Sequence, residues 1–322
     1  VDTALDFIYT TASNNNITLK YDRSLYECFR SGMLNRKYYS DILDGNDGES
    51  VIYGVYFTYT GQTNDFHPFM VIYSKTIVEM PTRLMDVPNP PGTNINNSSY
   101  VTRTSKKDLK IYKIPMRDYG LITNLTDNVY QTLWDDEFDA GRTDSSTKNE
   151  WTYAGTSSIG VAIDGVKIYP LFNNTLVPAP EKGEITSNGC HVGQGLSLHW
   201  HCDGYGSNNN GLNLYNDDDY ENHTHPPLIG FSFDGHALFG KYRTGDNHDG
   251  NTIALDEYGG HSHGSYGYHY HAHKVENVNP TTNVYNTNIM NIDPTTITYD
   301  YHVLLVGAYK GNINNIPYDD VS

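Results

Sequence analysis

The stretch Gly260-His261-Ser262-His263-Gly264-Ser265-Tyr266-Gly267-Tyr268-His269-Tyr270-His271-Ala272-His273 decides how this chain is read. Taken as a strand, its last part alternates. The imidazoles of His269, His271 and His273 leave one face, while Tyr268, Tyr270 and Ala272 leave the other. Three imidazoles on one face form a rail of metal ligands.

The same stretch has an earlier copy. A shift of 70 residues places His191 on His261, His199 on His269, His201 on His271, and the aromatic Trp200 on Tyr270. With no gap, it also places Ile159-Gly160 on Ile229-Gly230 and Asp164-Gly165 on Asp234-Gly235. Two separate blocks agreeing on one offset point to an internal duplication, about 155–224 and 225–294. Each copy opens with a strand, an Asp-Gly turn and a return strand, in which the aspartates are turn residues.

Of the 14 histidines, all but His67 and His302 fall between His191 and His273. The pairs His199/His201, His223/His225, His261/His263, His269/His271 and His271/His273 far exceed what random placement gives. A His-x-His on a strand, joined by a third His eight residues upstream across a turn, can set three nitrogens around one point. That is the geometry of three-histidine zinc and copper sites. The expected ligands are His191, His199 and His201 in the first copy and His261, His263, His269, His271 and His273 in the second, with Cu or Zn as the metal. Asp256 and Glu257 are the acidic groups near enough to act as a general base or to orient a ligand. Two other readings stand beside metal binding: a hydrogen-bonded His/Tyr cluster, and a pH sensor built on imidazoles that ordinarily titrate near 6.5. His223 and His225, beside Asp217-Asp218-Asp219 and Glu221, form a weaker, surface-exposed candidate, and the acidic run is a solvated loop with at most weak affinity for Ca.

Cys190 and Cys202 flank the histidines of the first copy and are replaced together, by Gly260 and Ala272, in the second. A disulfide between them is one reading and two small buried thiols the other, with Cys28 left over. Acceptors for N-glycosylation occur at Asn16, Asn96, Asn97, Asn124, Asn173 and Asn222. The chain begins at Val1, which fits a mature terminus after removal of a signal segment. A net charge of −17 with only 21 Lys and Arg argues against nucleic acid as a partner, and no apolar run is long enough to span a membrane. Charged residues are only 18% while Tyr reaches 28, the profile of a hydroxyl-rich β protein.

The expected fold is mainly β with little helix. An N-terminal β-rich domain covers 1–137, a linker or long loop 138–150, and a duplicated, pseudo-twofold β domain 151–322 that closes with an alternating strand over 295–310. Within the first domain, residues 1–20 read as a strand pair and Ser24 to Tyr39 as a helix with Leu25, Cys28, Phe29 and Met33 on one face. Strands follow at 50–59, 69–77 and 110–116. The Pro-rich interval 80–99 reads as a loop.

The run Ile229-Gly230-Phe231-Ser232-Phe233-Asp234-Gly235-His236-Ala237-Leu238-Phe239-Gly240-Lys241-Tyr242, then Leu255-Asp256-Glu257, Gly260-His261 and Tyr268-His269-Tyr270-His271, resembles the signature of the YHYH-domain proteins over about 155–312. The resemblance implies a largely secreted family without an established activity. It also implies a Cys near Tyr258 and another near Ala308, and this chain has neither. Leu198-His199-Trp200-His201 is similar to the first copper motif of multicopper oxidases, but the chain has no His-Cys-His to hold an electron-accepting copper.

Three functions fit these residues. The first is a secreted, glycosylated structural or surface-assembly protein, in a filament, sheath or surface layer, that associates with itself or with other extracellular proteins through metal-binding clusters. The second is a metal-dependent enzyme, oxidoreductase or hydrolase, at His261, His269 and His271. The third is an extracellular module that binds glycans or metals.

Overall fold

The computed structural model describes residues 2–35, 52–74, 84–88, 100–103, 109–122, 158–170, 189–192, 198–205, 213–243, 246–256, 258–274, 301–302, 309–313 and 316–317. The protein is mainly β, as its composition predicts. The expected linker at 138–150 lies outside these residues, as does most of the closing strand.

The first residues differ from expectation. They form helix α1, Thr3–Asn14, in place of a strand pair. Asp2 caps it, its carboxylate accepting from the amides of Ala4 at 3.0 Å and Leu5 at 3.3 Å. Leu5, Ile8 and Ala12 recur at helical spacing and are buried. The β-branched residues of this segment disguise that stripe. Helix α2, Arg23–Asn35, falls where predicted, but it turns Tyr26, Phe29 and Met33 inward and leaves Cys28 exposed.

Strands β1 (Ile52–Thr60), β2 (His67–Ser74) and β5 (Lys110–Pro115) form a three-stranded antiparallel sheet in the order β1-β2-β5. Between β2 and β5, part of the expected Pro-rich loop is strand: β3 (Leu84–Pro88) pairs with β4 (Tyr100–Arg103). Pro88 is accommodated because it ends its strand, where a missing amide costs little.

The second sheet has nine strands. They are β6 (Gly160–Ala162), β7 (Lys167–Ile168), β8 (Cys190–Val192), β9 (Leu198–Trp200), β10 (Leu228–Ser232), β11 (Ala237–Lys241), β12 (Gly260–Ser262), β13 (Tyr268–Lys274) and β14 (Tyr301–His302). Their order is β12-β13-β11-β10-β6-β7-β9-β8, with β14 also paired to β13. Register carries the 70-residue offset into space. Gly160 pairs with Ile168 and Gly230 with Leu238, and His191 pairs with His199 as His261 does with His269. In the parallel pairs, Ile168 meets Trp200 and Leu238 meets Tyr270.

The two halves of this sheet meet where β6 lies antiparallel to β10, with Val161 opposite Phe231. Both strands need a glycine there. A Cβ on Gly160 would lie 2.3 Å from the carbonyl oxygen of Phe231, and one on Gly230 would lie 2.3 Å from that of Val161. Each Asp-Gly turn then rests on the smaller sheet. The Ser74 hydroxyl donates to the Gly165 carbonyl at 2.7 Å, and Gly235, at φ +91°, abuts the Pro115 carbonyl. One apolar cluster runs through all of this, joining Leu5 and Ile8 of α1, Tyr26, Phe29 and Met33 of α2, and Met70, Ile72 and Ile114 to Val161, Phe231 and Phe239.

Gly160→Ala and Gly230→Ala are each expected to destabilise the protein by about 3 kcal/mol, because a backbone oxygen has to move. Gly120, at φ +85° with nothing within 4 Å of its added Cβ, supplies the comparison. Gly120→Ala carries only the left-handed backbone cost of about 1 kcal/mol. Urea midpoints of the three variants test the difference.

Candidate metal centre

The histidine strand is held from behind. The Tyr270 hydroxyl donates to Oδ2 of the buried Asp234 at 2.6 Å, and Ser232, the His236 amide and the Gly311 amide donate to the same carboxylate. Burial works to raise the Asp234 pKa, yet the charge of His236 and these hydrogen bonds together hold it below the ordinary carboxylate value. In the first half, the Trp200 indole makes the matching bond to Asp164 at 3.3 Å. These aspartates shape their turns as expected, and they also anchor the aromatic residue lying between two histidines.

With Tyr270 anchored, His269 and His271 project together from β13. Nδ1 of His269 donates to the Gly267 carbonyl at 2.9 Å, and Nδ1 of His271 to the Gly240 carbonyl at 3.0 Å. His261, on β12, donates to the Ile253 carbonyl at 2.8 Å, and His225, just before β10, to the Pro226 carbonyl at 2.8 Å. A carbonyl can only accept, so in these four neutral imidazoles the proton sits on Nδ1 and Nε2 carries a lone pair. The lone pairs converge. Nε2 of His269 stands 3.1 Å from that of His271 and 3.3 Å from that of His225, while Nε2 of His261 is buried without a hydrogen-bond partner.

A ligand nitrogen of His263 joins them. The group His225, His263, His269 and His271 places its ligand atoms within 4.8 Å of one another and can hold a metal ion. Two nitrogens bound at about 2.05 Å in a tetrahedron lie about 3.3 Å apart, which matches the observed separations. The rings of His225, His263, His261 and His271 follow one another in a cycle with centroids 5.2, 4.8, 4.9 and 5.2 Å apart. His269 caps the cycle at 5.1, 4.8, 4.9 and 4.9 Å.

Not every expected residue arrives here, and one unexpected residue does. His225 is buried at 5% exposure, not surface-exposed as its acidic neighbours suggested. Pro226 and Pro227 hold its segment extended as it enters the sheet. His273 stays outside the group, its Nδ1 bonded to the His271 carbonyl at 3.1 Å. Four residues of strand separate it from His269 by about 13 Å, too far to share one ion. Asp256 faces its own turn: its carboxylate accepts from the amides of Tyr258 and Gly260 and from the Tyr268 hydroxyl, with the Lys310 ammonium 3.7 Å away. Glu257 lies outside the described residues. In the first half, His191 sits opposite His199, and the His199 and His201 rings are 4.9 Å apart.

The expected Cys190–Cys202 disulfide is not formed, although both residues are buried. Cys190 lies opposite Trp200, and Cys202 follows two residues later, past the end of β9. The acidic run folds as the short helix α3, Asp217–Glu221, instead of a solvated loop. Its carboxylates are engaged locally: Asp219 closes a capping box with Asn216, and Asp217 accepts from the Tyr205 hydroxyl. His67 bridges Asp65 and Tyr119. Among the glycosylation acceptors, Asn16 and Asn222 are exposed, and Asn96, Asn97, Asn124 and Asn173 lie outside the described residues.

Comparison with protein-family models, curated proteins and solved structures returned no match for this chain. The resemblance to the YHYH-domain proteins therefore rests on the quoted residues alone.

Burial sets the electrostatics of the cluster. It lowers the pKa of His225 to about 4 and of His269 to about 2, and pushes His271 well below its usual value. The buried His236 is likewise lowered to about 4. Above pH 6.5 these imidazoles are neutral whether the chain is folded or unfolded. Below 6.5 the unfolded chain takes up protons that the folded imidazoles refuse until about pH 4 for His225 and His236 and about pH 2 for His269. Stability of the metal-free protein is thus full above pH 6.5 and falls by about 1.4 kcal/mol per pH unit for each such imidazole. Thermal melts in chelator between pH 7.5 and 4.5 are expected to show a flat region ending near pH 6.5 and a steady decline below it.

Proposed function

We propose that this chain is a secreted, glycosylated metal-binding protein of structural or surface-assembly type, with Cu or Zn held by His225, His261, His263, His269 and His271. One observation carries the reading. Several buried Nε2 lone pairs face one another at close to 3 Å with their Nδ1 protons already committed to carbonyls. Such lone pairs repel unless a cation lies between them, and burial makes a proton a poor candidate. Nitrogen ligands suit both metals.

The same geometry weighs against the enzyme reading. Hydrolysis at a metal needs an open position and a nearby base. Here imidazoles surround the centre, and Asp256 is tied to its own turn. Association is supported by Tyr53, Tyr56, Tyr73 and Ile111, which are exposed on the outer face of the three-stranded sheet. The exposed acceptors Asn16 and Asn222 are consistent with attached glycans.

Elemental analysis of unchelated protein tests the centre. His269→Ala with His271→Ala is expected to lose its ion and to remove the rise in melting temperature that the metal confers, about 2.7 kcal/mol at a hundredfold excess over Kd. Unchanged metal content in the double variant would reject the site. The secretory setting has its own check: protein exported from a eukaryotic cell is expected to lose mass on endoglycosidase treatment, and an unchanged mass would contradict it.

A further inference from the structure

The smaller sheet has a site of its own, where the turn leading into β2 meets the chain that leaves β5. A cleft of about 600 Å³ opens there, and its lining includes Asp65, His67, Arg117, Tyr119, Ile316 and Pro317. The turn is built under constraint. Thr63, which begins the 3-10 turn Thr63–Asp65, takes φ +54°, a left-handed conformation that β-branched residues seldom adopt. A Cβ on Gly61, itself at φ +71°, would lie 1.7 Å from the Asp65 carbonyl oxygen. Backbone held in sparsely populated conformations clusters at functional sites. Here it sets Asp65 against the imidazole of His67.

Three side chains form a chain of hydrogen bonds. Nε2 of His67 stands 2.8 Å from Oδ1 of Asp65, and its Nδ1 stands 2.7 Å from the Tyr119 hydroxyl. A carboxylate only accepts, so the neutral imidazole donates from Nε2 and its Nδ1 accepts the phenolic proton. The His67 and Tyr119 rings are stacked, 5.8 Å apart with 7° between their planes. A hydroxyl bonded to a base, with the base oriented by a third group, is the arrangement that activates a nucleophile. Burial pushes the Tyr119 hydroxyl up to about 12, with the Arg117 charge opposing the rise and the Asp65 charge adding to it. At neutral pH this phenol reacts only when a base takes its proton, and His67 is the base in reach. Nη1 of Arg117 donates to the carbonyls of Asn64 at 3.0 Å and Phe66 at 3.2 Å, which fixes the guanidinium 5.5 Å from the Tyr119 ring centroid. A cation held beside the nucleophile can stabilise an oxyanion.

We propose that Tyr119, with His67 as its base and Asp65 orienting that base, is a nucleophile that takes acyl groups from small, neutral aryl esters. Oη of Tyr119 bonds to the acyl carbon as its proton passes to Nδ1 of His67. The bond from that carbon to the leaving oxygen breaks, and the departing phenol takes the proton from His67. Water then attacks the acyl-tyrosine and gives a proton to His67. The carboxylic acid is released, and Tyr119 regains its proton from His67. A tyrosine oxygen displaces another phenol readily and an aliphatic alkoxide poorly, which selects aryl esters. Asp118 also lines the cleft, so two carboxylates outnumber the one guanidinium and favour a neutral substrate over an anion. The site shares no residue with the histidine cluster and does not rest on its reading as a metal centre.

p-Nitrophenyl acetate tests this on the full chain near neutral pH. The expected result is a burst of one p-nitrophenol per chain, with the acetyl group mapped by peptide mass spectrometry to Tyr119 and absent from the exposed Tyr53, Tyr56 and Tyr73. Chelator is expected to leave the burst unchanged, which separates this site from the metal centre. Tyr119→Phe, which keeps the ring, is expected to remove the burst, and His67→Gln to slow it about a hundredfold. Mapping the acetyl group in the wild-type chain needs no variant to fold. No burst, an acetyl group on other residues only, or a burst that chelator abolishes would overturn the proposal. So would acetylation of Tyr119 at an unchanged rate in His67→Gln, because the base would then play no part.

Discussion

Two buried carboxylates organise this molecule. Asp234 and Asp164 each sit in a tight turn, and each reaches past that turn to the aromatic residue between two histidines of a neighbouring strand. A carboxylate in an apolar interior is costly unless its oxygens are satisfied, so the turn and the histidine strand are fixed relative to one another. Tyr270 cannot shift by one residue without stranding Asp234. With that register locked, His269 and His271 must emerge on the side where His225, His261 and His263 arrive from other segments.

The resulting cluster is built against itself. Each of four imidazoles gives its Nδ1 proton to a backbone carbonyl, and the lone pairs left over are directed inward. Of the readings open at the level of sequence, a hydrogen-bonded His/Tyr cluster would need a donor for each Nε2, and the Nδ1 protons are spent on the backbone. A pH sensor would need an imidazole that titrates near neutrality, whereas burial drives His225 and His269 far below that. The group of His225, His263, His269 and His271 can hold a metal ion, which would satisfy those lone pairs. Bonds from Nδ1 to backbone carbonyls are also how metal-binding histidines are commonly oriented.

Much of this was legible in the residues. The 70-residue offset pointed to both Asp-Gly hairpins and both histidine strands, because local spacing is what a strand and its turn impose on sequence. Helix α2 and the strands of the smaller sheet followed from periodicity. Helix α1 did not, because Thr and Ile in its sequence have strand propensity, and only the Asp2 cap and the buried Leu5-Ile8-Ala12 stripe tipped the segment to helix. The acidic run was read as loop for a similar reason: charge suggested solvation, and a one-turn helix needs only a cap.

By itself, the sequence determined that the chain is mainly β, that two of its segments share one spacing, and that His261, His263, His269 and His271 fall in the same short stretch. These are properties of periodicity and composition, which local chain geometry translates directly. Tertiary structure alone decided that His225 joins them, that His273 does not, that Cys190 and Cys202 are not bridged, and that Asp256 faces its own turn. Those outcomes depend on which segments lie side by side after the sheet closes around Gly160 and Gly230. That proximity is set by packing between residues far apart in the chain, which no local pattern encodes.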